Sequence, residues 1–369
     1  MKYLFIVQGE GRGHLTQAMT MEKMLLRHGH EVTDILVGRS PVRKLPDFFM
    51  KGVSSPVSYF DSFNFIPSVR NKRPNVVRTV WYNMIHAARF FPSVRFISRR
   101  IRKSSPDVIV NFYELLGAFG YLMSRTKAPE VCIGHQYLFL HKDFKIPEFG
   151  YEGHIALNFY SKMTAMGSAE KLALSFREMP DDTARHIKVV PPLLRPEVLA
   201  FGSGNPDYRI KDGDYILGYM LNAGFAHDVM HWHYDYPDVP LRFFWDKSEY
   251  GPVRKFDDTL SFYYLDDKEF LRQMSGCKAY ASTAGFESIC EAMFMGKPLL
   301  MVPSHIEQEC NAFDATRSGA AISSKEFDLS MLLDFSTHGF RPDSEFPSWA
   351  VSAEGRIIDE LQNVTVRKK

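Results

Sequence analysis

Three glycines, an arginine and a histidine stand together in Gly9-Glu10-Gly11-Arg12-Gly13-His14. An imidazole titrates near neutral pH, so a histidine held against a ligand can take a proton from a hydroxyl. Glycines beside it let main chain approach that ligand closely. A histidine that only caps a turn would leave the same letters. The spacing is not the G-x-G-x-x-G of dinucleotide binding, and no Gly-Lys-Ser/Thr follows as in a phosphate-cradling loop. A second cluster begins at Ser282-Thr283-Ala284-Gly285, continues through Glu287, Ser288 and Glu291, and ends at Glu307-Gln308. N–H groups opening a helix at Gly285 would hold a diphosphate. Glu291 would hold two ribose hydroxyls, and the acid-amide pair the hydroxyls of a sugar. The plainer alternatives are a solvated face for Glu287 and Glu291, and an ordinary acidic first turn for Glu307 and Gln308.

Both clusters need a strand to deliver the chain and a helix to receive it. Residues 2–7 read as a strand with a continuous apolar run over 3–7, 15–28 carry a helical pattern and 32–37 read as a strand again. Further strand patterns lie at 107–112 and 130–134, with a helical stretch between them that reaches about residue 125. Val189-Val190-Pro191-Pro192-Leu193-Leu194-Arg195-Pro196 reads as an extended hinge. The alternation then restarts, with strands at 215–220, 241–245, 260–264, 278–282 and 299–302, and helices at 286–295, 307–318 and 347–363. This predicts two α/β domains with parallel sheets, joined near residue 192. His14 then opens the helix after the first strand, at the carboxyl edge where ligands of such sheets bind. Asn111, Glu114, His135 and Gln136 follow strands on the same edge. Glu114 is the expected orienting partner of His14, against the alternative of a surface-loop glutamate. Gly11, Gly13, Asn111, His135 and Gln136 are expected around a ligand at that edge, which the family resemblance given below makes the acceptor.

The chain has 369 residues, 45% of them apolar and 24% charged, with a net charge of +2. Length favours two domains, and the charge by itself demands no polyanionic partner. Four cysteines lie scattered, without metal-type or paired spacing, and read as the reduced thiols of a cytosolic protein. The first residues read as a strand and not a signal peptide, and no window reaches the roughly 18 apolar residues of a membrane span. Residues 62–106 carry ten Lys or Arg and no acid, interleaved with Trp81, Tyr82, Phe90, Phe91 and Phe96. A solvated helix face is the default there; a peripheral contact with an anionic membrane, presenting a lipid-linked acceptor, is the sharper reading. No nucleic-acid module accompanies the patch. His227, His231 and His233 lack a further ligand at metal spacing, and Asp212-Gly213-Asp214 reads as a turn, so no metal is expected.

Residues 265–312 resemble the donor half of inverting glycosyltransferases with the GT-B fold, the group of the peptidoglycan-precursor N-acetylglucosaminyltransferase and the UDP-glycosyltransferases. That family has a Gly followed six residues later by a ribose-binding Glu, matched by Gly285 and Glu291. Its Pro, Gln and Asn-Ala pattern is matched by Pro303, Gln308, Asn311 and Ala312, with Glu307 as the acid before the Gln. The resemblance implies diphosphate contacts at Ser282, Thr283 and Ala284, and main chain packed on uracil at Leu265. It implies two Rossmann-like domains with parallel sheets facing across a cleft: 1–192 for the acceptor, 193–345 for the nucleotide sugar, and a helix in 346–369 packing back on the first. The implied reaction moves a hexose or N-acetylhexosamine from a UDP-sugar to an acceptor hydroxyl, with inversion and His14 as base. The UDP-sugar is a co-substrate, with no other cofactor and no metal. The expected setting is cytoplasmic, at the inner membrane face if the acceptor is lipid-linked. A nucleotide-sugar epimerase of the same fold and a non-catalytic sugar-nucleotide binder are the alternatives.

Overall fold

A computed structural model of the chain describes residues 1–9, 11–39, 46–63, 87–147, 151–202, 213–220 and 223–364. The described residues divide into two compact units. The first runs to Arg195 and takes up the chain again from Trp349; the second is Pro196–Ser348.

The first unit opens with β1 (Lys2–Gln8), α1 (Arg12–Arg27), β2 (Glu31–Arg39), α2 (Asp47–Gly52) and β3 (Val57–Asp61). It continues with α3 (Phe91–Ser104), β4 (Val108–Phe112), α4 (Leu115–Ser124), β5 (Glu130–Gly134), α5 (Tyr151–Thr164), β6 (Glu170–Leu174) and β7 (Ile187–Val190). The seven strands form one parallel sheet in the order β3-β2-β1-β4-β5-β6-β7. Strand order reverses between β1 and β4, which puts the ends of those two strands at the switch point. Tyr3–Val7 are fully buried because helices cover both faces, which is why β1 reads as an unbroken apolar run. Val94, Ile97 and Ile101 of α3 pack on Leu4, Ile6 and Ile109, while Arg95, Arg99, Arg102 and Lys103 stay exposed. Val189 and Val190, expected in a hinge, are edge-strand residues of β7; only Pro191–Arg195 lie between strand and helix. The two prolines therefore end the sheet instead of interrupting it.

The second unit comprises α6 (Pro196–Gly202), β8 (Ile216–Tyr219), α7 (Ala226–Asp235), β9 (Leu241–Trp245), β10 (Val253–Lys255), β11 (Leu260–Tyr264) and α8 (Asp267–Gly276). Then come β12 (Ala279–Ser282), α9 (Phe286–Phe294), β13 (Leu299–Met301), α10 (Ile306–Thr316), β14 (Ala321–Ser323) and α11 (Leu329–Asp334). Its sheet has the order β10-β11-β9-β8-β12-β13-β14, parallel but for the edge strand β10. The reversal here lies between β8 and β12. Phe243, Phe262, Trp245 and Phe327 fill the core on one face.

The helical pattern at 347–363 is two helices, α12 (Phe346–Val351) and α13 (Ala353–Asn363). From Trp349 onward they belong to the first unit. The Trp349 indole donates to Ser175 O at 2.9 Å, and the Arg27 guanidinium meets Glu354 at 2.6 Å. Ile357, Ile358 and Leu361 are buried. No helix among the described residues is long and apolar enough to cross a membrane.

Candidate active site

In the first unit the glycine turn connects β1 to α1. The Gly9 N–H donates to Gly38 O at 2.9 Å, and a Cβ at Gly9 would stand 2.2 Å from that oxygen. Gly9 is thus required by the close approach of two chain segments. Gly11 is the extended N-cap of α1, and a Cβ there would meet nothing within 4 Å. Glu10 lies outside the described residues. The helix starts at Arg12, not at Leu15, so Gly13 and His14 stand inside its first turn.

His14 is 8% exposed. Its Nδ1 lies 3.2 Å from Gln17 Oε1, one turn on, and its Nε2 lies 3.5 Å from Gln136 Nε2. The imidazole stacks on Tyr113 at 5.6 Å between centroids and 25° between planes. Tyr113 has a left-handed backbone, φ 60°, held by a 2.6 Å hydrogen bond from its hydroxyl to Ser161 Oγ and by edge contacts with Tyr137 and Tyr160. Burial lowers the His14 pKa to about 4, partly opposed by the Gln17 bond. At neutral pH the imidazole is therefore uncharged and has a lone pair to offer.

Of the residues expected around His14, Gln136 is brought to it. The other three have different duties. Glu114 is the N-cap of α4: its carboxylate accepts from Leu116 N at 3.0 Å and from Ser62 Oγ at 2.7 Å. The partner at His14 Nδ1 is instead Gln17. Asn111 is fully buried; its amide donates to Glu114 O and Glu130 Oε1, both at 3.1 Å, and accepts from Glu114 N at 2.8 Å. Those bonds fasten the β4–α4 turn and leave no surface for an acceptor. The His135 ring is buried against Phe139 and Phe176, with Nδ1 2.6 Å from Leu174 O. Gln17 and Tyr113 were missed. Gln17 had a legible signal, the i, i+3 spacing of one helix face, once α1 begins at Arg12.

In the second unit the turn expected at the site joins β12 to α9. Ala284, not Gly285, takes the left-handed backbone there, φ 60°; Gly285 has φ −71° and is the N-cap of α9. Asn311 of α10 donates to Ala284 O at 3.0 Å. Ser282 is turned inward, its Oγ accepting from Ala284 N at 3.2 Å, so the diphosphate contact expected of it goes to the turn itself. Thr283 is buried at the same turn. The N-cap Gly285 has no side chain with which to cap α9. Ser288 Oγ donates to Gly285 O at 3.1 Å.

Glu291 is buried, 3% exposed, which removes the solvated-face alternative for it; Glu287 is only half-buried. Glu307 is half-buried in the first turn of α10. Gln308 does not lie open beside it. Its Oε1 accepts from Ser304 N at 2.9 Å and from Ser304 Oγ at 2.7 Å, so a sugar contact would fall to its amide nitrogen. The Leu265 N–H donates to Trp245 O at 3.1 Å, which fixes the chain just past β11. His233 is bound to Asp257 at 2.8 Å. Asp212 is outside the described residues, and Asp214 pairs with Lys278 at 3.2 Å. Among the described residues no three His, Cys, Asp or Glu side chains converge on one point.

Two Rossmann-like units, each with its polar groups gathered where strand order reverses, are the GT-B architecture of glycosyltransferases. The chain belongs to glycosyl transferase family 1, whose description it matches over residues 1–338. It is similar to the glycosyltransferase of kitacinnamycin, at 13% identity over 98% of each chain with a TM-score of 0.66. It is similar to glycosyltransferase VinC, solved with dTDP, at 15% identity over 100% of each chain with a TM-score of 0.62. The UDP-GlcNAc 2-epimerase of Neisseria meningitidis shares the fold at 12% identity, covering 98% of this chain and 100% of its own, with a TM-score of 0.59. No curated protein matches the sequence. The protein is a glycosyltransferase.

Proposed function

We propose that the enzyme moves a hexose or N-acetylhexosamine from a UDP-sugar to an acceptor hydroxyl with inversion, and that His14 is the general base. The observation that carries this reading is the state of His14: a neutral, nearly buried imidazole in the first turn of the helix that follows the first strand. In the proposed step the acceptor oxygen attacks the anomeric carbon and gives its proton to His14 Nε2. The bond from that carbon to the diphosphate breaks, and its electron pair leaves with the nucleotide. The N-terminal turn of α9 and the turn at Thr283 and Ala284 receive the growing charge. Glu291 takes the ribose hydroxyls, Glu307 and the Gln308 amide the sugar hydroxyls, and Gln136 the acceptor. No metal is assigned a part, so transfer is expected to survive EDTA.

The test is a melting-temperature panel of nucleoside diphosphates and nucleotide sugars, followed by transfer assays with the best donor. A panel in which no uridine or thymidine nucleotide stabilises the protein removes the donor assignment. The epimerase reading has the shared fold of the N. meningitidis enzyme in its support. It predicts full conversion of donor alone, where the transferase predicts turnover only with an acceptor. A lipid-linked acceptor is supported by the exposed cations Arg95, Arg99, Arg102 and Lys103 on α3, beside the exposed Phe91. Residues 64–86 of the same basic stretch, Trp81 and Tyr82 included, lie outside the described residues. Flotation with vesicles containing phosphatidylglycerol, but not with purely zwitterionic ones, is expected; absence from both fractions ends this part of the proposal.

A further inference from the structure

His14 needs one tautomer to act as a base toward a ligand, and two independent contacts specify which. At Nδ1 stands an acceptor, Gln17 Oε1, at 3.2 Å. At Nε2 stands a donor, the Gln136 amide, at 3.5 Å. Both arrangements require the proton on Nδ1 and the lone pair on Nε2. We propose that Gln17 is a positioning residue, which holds the Nδ1–H of His14 and so fixes the reactive tautomer with a neutral partner in place of a carboxylate. The proposal rests on the reading of His14 as the base.

The partner's neutrality has a consequence for charge. A carboxylate at Nδ1 would stabilise the imidazolium that forms when the proton is taken; an amide oxygen orients the ring without adding that field. Among the described residues, the ionisable groups on the elements around the ring have partners of their own. Glu114 holds Ser62 and Leu116 N, and His135 Nδ1 meets Leu174 O. The Tyr137 hydroxyl meets Thr164 Oγ1, and the Tyr113 hydroxyl meets Ser161. Arg12, two residues before His14, lies over the Phe48 ring at 4.7 Å. The ring is thus clamped by two amides and an aromatic face, a site that favours the neutral imidazole.

The experiment is a long-range proton–nitrogen correlation spectrum of histidine-labelled protein, with His14 assigned by its loss in His14→Ala. Wild type is expected to show Nδ1 protonated and Nε2 bare. Gln17→Met, of similar length but without an acceptor, is expected to shift His14 toward the Nε2–H form. Where a transfer assay exists, its kcat falls by about tenfold to a hundredfold, part of the 10²–10⁴ that a positioned base contributes. Gln17→Glu is expected to keep the tautomer and raise the titration midpoint of His14 by about one unit or more. An Nε2–H tautomer in the wild type overturns the proposal. So does a folded Gln17→Met with an unchanged His14 signal, or a Gln17→Glu whose midpoint does not rise. Because these spectra need no substrate, they stand apart from the base assignment. An expected tautomer in a protein whose His14→Ala variant retains full transfer would sink that assignment alone.

Discussion

The turn after β4 and the turn after β12 occupy the same place in their two sheets, each beside the switch point. Both contain one non-glycine residue with φ 60°, Tyr113 in the first unit and Ala284 in the second. Both are tied by an asparagine, Asn111 to the main chain of Glu114 and Asn311 to the carbonyl of Ala284. Beyond that they diverge. The first unit puts a large ring in the strained position and uses it to support an imidazole. The second puts a methyl there, and the start of α9 follows. One backbone geometry thus supports an imidazole in one unit and leads into a helix start in the other. A base needs a shaped, dry pocket, whereas a diphosphate needs close approach to the chain.

The comparison breaks first at His14. His14→Ala is expected to lower turnover by about 10²–10⁴ while the dissociation constant of the donor nucleotide, measured by calorimetry, stays at the wild-type value. A variant that loses donor affinity instead would mean that the division of labour between the units is drawn wrongly. The reverse pattern is expected at Glu291. Glu291→Gln removes the buried carboxylate proposed to hold the ribose, and a hydrogen bond to a charged group is worth about 1.5–3 kcal/mol. Donor affinity should fall by about tenfold to a hundredfold, with kcat at saturating donor much less affected.

The two turns also differ in what is buried beneath them. Under the first lies Glu130, fully buried, with Asn111 as the partner of Oε1 and none for Oε2 among the described residues. Burial pushes its pKa up from 4.5 to about 8, the Asn111 bond opposing only in part. In the unfolded chain the carboxyl ionises near its ordinary value, so between about pH 4.5 and 8 the native state binds the extra proton. Stability from this group is complete below the lower limit and declines as pH rises through the window. Glu130→Gln, which cannot ionise, is expected to flatten that decline and to melt higher than wild type at pH 8. Parallel melting curves for the two proteins across the window would show that Glu130 is already ionised in the fold.

The inner strands were legible because burial on both faces leaves unbroken apolar runs, as at Tyr3–Val7; the aromatic-rich 241–245 and 260–264 fall residue for residue on β9 and β11. The start of α1 was less so. Glycines at its N-cap and second position do not look helical, although an uncapped first turn needs no particular side chain there. That shift of three residues concealed Gln17. The strained positions were concealed for a different reason. Glycine is the usual sign of a left-handed residue, and Gly285 drew the reading away from Ala284, whose strain is held by Asn311 from another helix. Long-range restraint of this kind leaves no local mark. Asn111, Glu114 and His135 were placed at the correct sheet edge, but strand position alone does not tell whether a polar side chain faces a ligand or fastens its own turn.

The smallest expected effect is at Ala284, where its size is the point. A left-handed backbone costs an alanine roughly 1–2 kcal/mol, and glycine would not incur that cost. Against this, Ala284→Gly removes a buried methyl, worth about 0.8 kcal/mol, and gives the unfolded chain about 0.5–1 kcal/mol more freedom to lose. The terms nearly cancel. The melting temperature should move by only a few degrees in either direction, and donor affinity should not change, because the N–H groups of α9 keep their place. At Tyr113 no such cancellation exists, since glycine there would also remove the ring that stacks on His14 and the hydroxyl bound to Ser161. If Ala284→Gly weakened donor binding while leaving stability intact, the methyl itself would be shaping the diphosphate site. The second turn would then act through a side chain after all, as the first one does.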